Sequence, residues 1–103
     1  DLTINFFSNF HADKVFMGSK GCGIKSGATV PEIMDANVKK SILHAAKQKI
    51  LLADNTKFDH TYLMKYADLS EFDYLITDDS MDKKYYTQLK DIIKNVIIAG
   101  DTE

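Results

Sequence analysis

The segment Asp54-Asn55-Thr56-Lys57 sets a carboxylate, an amide, a hydroxyl and an ammonium within one short stretch, directly after the apolar run Ile50-Leu51-Leu52-Ala53. Lysine can hold a phosphate as a point charge, and a polar turn at the carboxyl end of a strand has the right position for ligand binding. The same residues also spell a plain Asx-turn, with Asp54 capping it and Lys57 solvated. Residue type alone leaves both readings open. Gly18-Ser19-Lys20-Gly21 is a second candidate, since glycine-rich turns let backbone N–H groups approach a phosphate. No Gly-Lys-Ser/Thr follows at P-loop spacing and the dinucleotide fingerprint is absent, so a flexible loop is the plain alternative. Asp35 is a third. It reads either as a hydroxyl or proton acceptor facing a site, or as an acid that stabilises a helix N-terminus and pairs with Lys39 one turn later.

Other chemistries are less well served. His11, His44 and His60 share no metal-ligand spacing. Cys22 has no activating base near it in sequence, so it reads as an inert thiol. No metal or cofactor is expected. All 13 basic residues are lysines, so the guanidinium fork that reads guanine is absent. A net charge of -2 and a pI near 5.9 argue against a dedicated nucleic-acid surface. The 103 residues suffice for one small domain. A single cysteine forms no internal disulfide, and no stretch is long and apolar enough to span a bilayer. No signal peptide is visible, and the expected location is the cytoplasm. The chain begins at Asp1 rather than Met and reads as a piece of a longer protein.

The candidate groups act together only if the fold brings them to one edge. Lys14 to Met17 reads as a short buried strand, and Ser19 to Ala28 as a loop crowded by glycine. Thr29 with Glu32 matches a capping box, and Pro31 suits a first helical turn. Met34, Val38, Ile42 and Ala45 recur at helical spacing and predict that helix's buried face. Ile50 to Ala53 reads as a strand buried on both faces. Tyr62 to Tyr66 is ambiguous. Tyr74-Leu75-Ile76 is a third strand, Met81 to Lys94 a second helix with Tyr85, Leu89, Ile92 and Ile93 inward, and Val96 to Ala99 the last strand. Ile4 to Phe10 reads as a short helix or the tail of one.

This order predicts an α/β fold, a three-layer Rossmann-like open parallel sheet with helices on both faces. Such sheets bind ligands beyond the carboxyl ends of their strands. The loops at Ser19-Lys20-Gly21, Asp54 to Lys57 and Asp78-Asp79-Ser80 all leave such ends. They are expected to converge, with a helix N-terminus at Thr29, on an anion, most simply a phosphate.

The motifs resemble a known family. Asp13-Lys14-Val15-Phe16-Met17-Gly18 resembles the DKAFLG strand of DeoR-type regulators, and Gly27-Ala28-Thr29-Val30-Pro31 their GLTTP segment. Asp35-Ala36-Asn37-Val38-Lys39 resembles EAxVKRAM, Leu51 to Phe58 resembles LLADSSKF, and Asp73 to Asp78 resembles DxLITD. The five motifs stand in order, at matching spacing, over most of the chain.

The resemblance implies a fold related to ribose-5-phosphate isomerase and glucosamine-6-phosphate deaminase. In this family, which includes repressors of sugar phosphotransferase systems, that fold serves as a sensor, usually for a phosphorylated sugar. The isomerases carry a similar ADxSK segment whose lysine holds the sugar phosphate. By that similarity Lys57 is the phosphate contact, and Asp54 and Thr56 shape its turn. Asp35 stands where the family has the acid of EAxVK. Lys20, Ser19, Thr29 and Asp78 complete the expected ligand set, and no residue is expected to be catalytic.

One departure matters. The family's GADGI is replaced by Gly18-Ser19-Lys20-Gly21-Cys22, which puts Lys20 at the aspartate position. In the isomerases that region carries acids that contact sugar hydroxyls or act in catalysis. A lysine there argues against turnover and for an altered sugar preference.

The resemblance further implies that residues 1–103 are the later part of one effector-binding domain, truncated at its N-terminal side. A winged helix-turn-helix and the first part of the sensor would precede it. The expected partners are a phosphorylated sugar, other copies in a dimer or tetramer, and DNA only through the helix-turn-helix, with no membrane. The competing readings are a sugar-phosphate isomerase or deaminase, with Asp35 or Asp78 as base, and an oligomerisation domain with a vestigial pocket.

Overall fold

The computed structural model describes residues 11–99, so the helix expected at Ile4 to Phe10 lies outside the described residues. The chain runs β1 (Ala12–Gly18), β2 (Gly21–Gly23), β3 (Gly27–Val30), α1 (Ile33–Ala45), β4 (Ala46–Leu52), a 3-10 turn (Asn55–Lys57) and β5 (Met64–Ala67). A second 3-10 turn (Leu69–Glu71), β6 (Tyr74–Asp78), α2 (Lys83–Ile92) and β7 (Asn95–Ala99) complete it.

Four strands form the expected open parallel sheet in the order β1-β4-β6-β7. The register is continuous across it: Phe16 faces Ile50, Ile50 faces Tyr74, and Tyr74 faces Asn95. Side chains alternate between the faces of a strand. Met17, Leu51 and Leu75 therefore point one way and join Ala36 and Leu43 of α1, Leu89 of α2 and its C-cap residue Ile93 in a single buried core. Both described helices pack on this face, as right-handed crossovers require when strand order runs one way. The opposite face carries Phe16, Leu52 and Ile97, which are 59%, 40% and 46% exposed. The run Ile50–Ala53 is thus buried except at Leu52. Among the described residues no helix packs on that second face.

The glycine-rich stretch departs from expectation. Ser19 to Ala28 is not a loop, because β2 and β3 form a hairpin that pairs with β5 in a separate antiparallel sheet, order β2-β3-β5. The same pairing makes the later part of the ambiguous Tyr62–Tyr66 segment a strand, β5, while Tyr62 and Leu63 stay outside it. Small residues permit it, since Cys22 and Ala28 are fully buried and strands of glycine, alanine and cysteine can lie close against their neighbours. Gly27 closes the hairpin turn at φ +75, a region open to glycine.

Helix α1 also starts later than the capping box suggests. Thr29 lies in β3, and the N-cap is Glu32, extended at φ -113 and ψ 138, with no side-chain cap. Pro31 explains the shift, because the residue before a proline is pushed out of the helical region. The buried face is displaced too. Ala36 and Leu43 face the core, whereas Met34 is 57% exposed. Helix α2 keeps its expected inner face, with Leu89 and Ile93 buried and Tyr85 and Ile92 packed beside them. Its N-cap is Asp82, whose carboxylate accepts from Tyr85 N–H.

Candidate functional site

Two polar clusters stand at neighbouring carboxyl ends of the parallel sheet. The first lies where β1 ends and α1 begins. A cleft of about 270 Å³ is lined there by Gly18, Ser19, Lys20, Val30, Asp35 and Lys39. Lys39 Nζ sits 3.8 Å from Asp35 Oδ1 and 3.8 Å from Met17 Sδ, and 5.8 Å from the centroid of the Tyr66 ring. Lys20 is exposed. Ser19 is buried, and its hydroxyl donates to Gly21 O at 2.8 Å and lies 3.3 Å from Thr29 O. Ser19 therefore braces the cleft wall. The Tyr66 hydroxyl donates to Gly18 O at 3.2 Å, tying β5 to the end of β1.

The second cluster is the turn after β4. Asp54 Oδ1 accepts from Thr56 N–H at 2.9 Å and from the Thr56 hydroxyl, so the Asx-turn does form. The Thr56 hydroxyl, supported by the Thr56 N–H and the charge of Lys57, holds the Asp54 carboxyl below its usual range. Asp78 reaches this turn from β6: Oδ2 accepts from Asn55 N–H at 3.0 Å and Oδ1 from Ser80 N–H at 3.1 Å. Two links fix the turn against the small sheet, a bridge between Cys22 and Phe58 and a bond from Asp59 N–H to Cys22 O at 2.9 Å. Asp78 and Asp79 also line a shallow cavity of about 370 Å³ with Met81, Lys83, Tyr86 and Ile98.

Lys20, Ser19 and Asp35 thus share one cleft, while Asp54, Thr56 and Asp78 share one hydrogen-bonded turn. Lys57 is half-buried at the end of that turn. The clusters are neighbours because Gly18 and Leu52, the last residues of β1 and β4, are register partners. Thr29 stands apart from both functional expectations. Its hydroxyl accepts from Tyr62 N–H at 3.0 Å, and no helix starts there. Sequence reasoning treated Lys39 only as a partner for Asp35 and left Tyr66 unassigned. Lys39 lines the cleft, and Tyr66 supports it through its ring under the Lys39 ammonium and its hydroxyl on Gly18 O.

Beneath the cleft, burial pushes the Cys22 thiol up to about 11 and the Tyr66 hydroxyl up to about 12, with Ser19 opposing both shifts. An unfolded chain releases these protons from ordinary values of 9.0 and 10.0, while the folded chain keeps them longer. Their contribution to stability is therefore full below pH 9 and is lost as pH rises through 11 and 12. Tyr66→Phe removes the Tyr66 part. Its melting temperature should fall less steeply than that of the wild type between pH 10 and 12 in parallel thermal melts. Equal slopes would show that the hydroxyl is not buried in solution.

The fold is an α/β domain with an open parallel sheet and charged, hydrogen-bonded turns at its strand ends. Residues 1–79 match the family model described as DeoR C terminal sensor domain. The HTH-type transcriptional repressor GlcR of Bacillus subtilis (strain 168) is 40% identical over 75 residues, 73% of this chain and 29% of that protein. The HTH-type transcriptional regulator GolR of Listeria innocua is 30% identical over 98 residues, 95% of this chain and 39% of that protein. The glycerol-3-phosphate regulon repressor of Haemophilus influenzae is 28% identical over 79 residues, 77% of this chain and 31% of that protein. The chain belongs to the DeoR family of transcriptional regulators and carries the sensor domain of that family. It spans well under half the length of the curated relatives it matches. Among the described residues, no helix is long and apolar enough to cross a membrane, and no group of three or more His, Cys, Asp or Glu is placed to hold a metal ion.

Proposed function

We propose that this chain is the effector-sensing part of a cytoplasmic transcriptional repressor, and that its effector is a phosphorylated sugar bound at the carboxyl edge of the parallel sheet. The observation that carries this reading is the pairing of lysines with carboxylates and hydroxyls at that edge. Lys20 and Asp35 share a cleft, and Lys57, Asp54 and Thr56 share the adjoining turn. An anion and a ring of hydroxyls need this combination. A relative named for the glycerol-3-phosphate regulon supports a phosphorylated compound as the effector class. Binding would bias the affinity of an associated helix-turn-helix for its operator, in an assembly of two or four copies. Allosteric couplings of this kind are typically about 1–3 kcal/mol.

The same geometry favours sensing over turnover. A general base must reach a substrate proton with a free carboxylate. Asp78 already accepts two backbone N–H groups.

A thermal-shift screen of phosphorylated sugars and their dephosphorylated counterparts, on the protein in its full natural length, tests the proposal. At least one phosphorylated compound should raise the melting temperature at millimolar levels, because a ligand at about 100 times its Kd stabilises by about 2.7 kcal/mol. Lys57→Ala should cut that response, with the midpoint moving by about tenfold or more for a lost charge-assisted contact. A response only to unphosphorylated metabolites would refute the proposal. An identical response in the variant would remove Lys57 from the site.

A further inference from the structure

Lys39 sits at an unusual place on its helix. Ala36 and Leu43, three residues before and four after, are the buried residues of α1 at 0% and 3% exposure. Residues at these spacings share one helical face. Lys39 therefore occupies the core-facing line, where an apolar residue would pack, and its side chain is only 22% exposed. A lysine at such a position lays its stem along apolar surface and presents its charged head at the nearest opening. That opening is the cleft it shares with Lys20, Asp35 and Ser19.

The ammonium is held in place without being satisfied. Its partners are a thioether, an aromatic face and a carboxylate oxygen at 3.8 Å. A strong ammonium–carboxylate hydrogen bond is about 2.7–2.9 Å long. Sulfur is a weak acceptor, and an ammonium carries three donors. Lys39 thus retains donors for a closer, stronger acceptor. The Tyr66 ring beneath it is anchored by its hydroxyl to Gly18 O, and Met17 Sδ closes another side. The head group is pre-positioned, which lowers the ordering cost of binding.

We propose that Lys39 is a ligand contact whose ammonium holds the anionic group of the effector in the cleft between the end of β1 and α1, facing Lys20. The proposal rests on the sugar-phosphate reading of the same edge and assigns the anion a grip that the Asp54–Lys57 turn does not contain. Asp35, paired loosely with Lys39, is then free to turn to a hydroxyl of the ligand as the anion takes over the ammonium.

The test uses inorganic phosphate as probe on the protein in its full natural length, against chloride at equal ionic strength. Lysine acetylation read by mass spectrometry should show Lys39 protected several-fold by phosphate, while the exposed Lys40 beside it reacts unchanged. Lys39→Met keeps the apolar stem and removes the charge. It should fold with a melting temperature near that of the wild type and lose the phosphate-induced rise, whereas Lys39→Arg should retain most of it and Lys40→Met all of it. Unprotected Lys39, or a K39M variant that responds to phosphate as the wild type does, overturns the assignment. Neither result touches the broader proposal, which fails if phosphorylated sugars bind the wild type no more tightly than their free forms.

Discussion

Leu75→Ala is expected to destabilise the domain by about 2–5 kcal/mol, the range for deleting a buried leucine side chain. Leu75 is fully buried on β6 and is flanked in register by Leu51 on β4 and Val96 on β7. It belongs to the core that unites the parallel sheet with α1 and α2. In a domain of this size each kcal/mol moves the melting temperature by about 4–8 °C, so a fall of about 10 °C or more should appear in a thermal melt. Leucine to alanine also leaves a cavity that neighbours on two sides cannot fill without shifting the sheet. A change below about 1 kcal/mol would mean that β6 is not a central strand.

Gly21→Ala should cost about 1–3 kcal/mol, for overpacking a close-packed region beside the cleft. A methyl group there would lie 2.5 Å from the His60 carbonyl oxygen, 2.7 Å from Thr29 Oγ1 and 2.8 Å from Tyr62 Cδ2. The carbonyl is backbone and cannot swing aside. Relief would require β2 to part from the His60–Tyr62 segment, which breaks the bond from Tyr62 N–H to the Thr29 hydroxyl. The Ser19 hydroxyl, which donates to Gly21 O, would lose its support, and with it the wall of the cleft. Gly21→Ala should therefore lower both stability and ligand response. Gly18→Ala is the matched control, since a methyl group there meets nothing within 4 Å. Equal melting temperatures for the two variants would contradict this packing.

The parallel sheet was legible because its strands are short apolar runs separated by helical patterns, as at Ile50–Leu52 and Tyr74–Ile76. The small antiparallel sheet was not. Gly21-Cys22-Gly23 has no apolar alternation, and the sheet is completed by β5, which lies tens of residues from its partner β3. Thr29 and Glu32 have the residue types of a capping box, but Pro31 between them holds the preceding backbone extended. The face of α1 was misread for a reason tied to the site: Asp35 and Lys39 lie beside or on its core-facing line, so polarity there follows the cleft rather than burial. A charged residue three and four positions from buried Ala36 and Leu43 was the available signal.

The placement of the candidate residues was legible in outline. Asp54, Thr56, Asp78, Lys20 and Asp35 do gather at neighbouring strand ends, because parallel strands deliver their following turns to one edge. Sequence could not show that they form two clusters, or that Ser19 and Thr29 are occupied by backbone partners. Those facts depend on hydrogen bonds across ten and 33 residues of chain.

On the proposed reading, the sensor recognises the phosphate of a sugar at this edge. Calorimetric titration of the protein in its full natural length with one sugar in phosphorylated and free form, the sugar chosen from the thermal-shift screen, tests it most directly. The phosphorylated form should bind about 100-fold tighter or more, as expected when two charge-assisted contacts are lost together. Equal affinity for the two forms, or tighter binding of the free sugar, would contradict it.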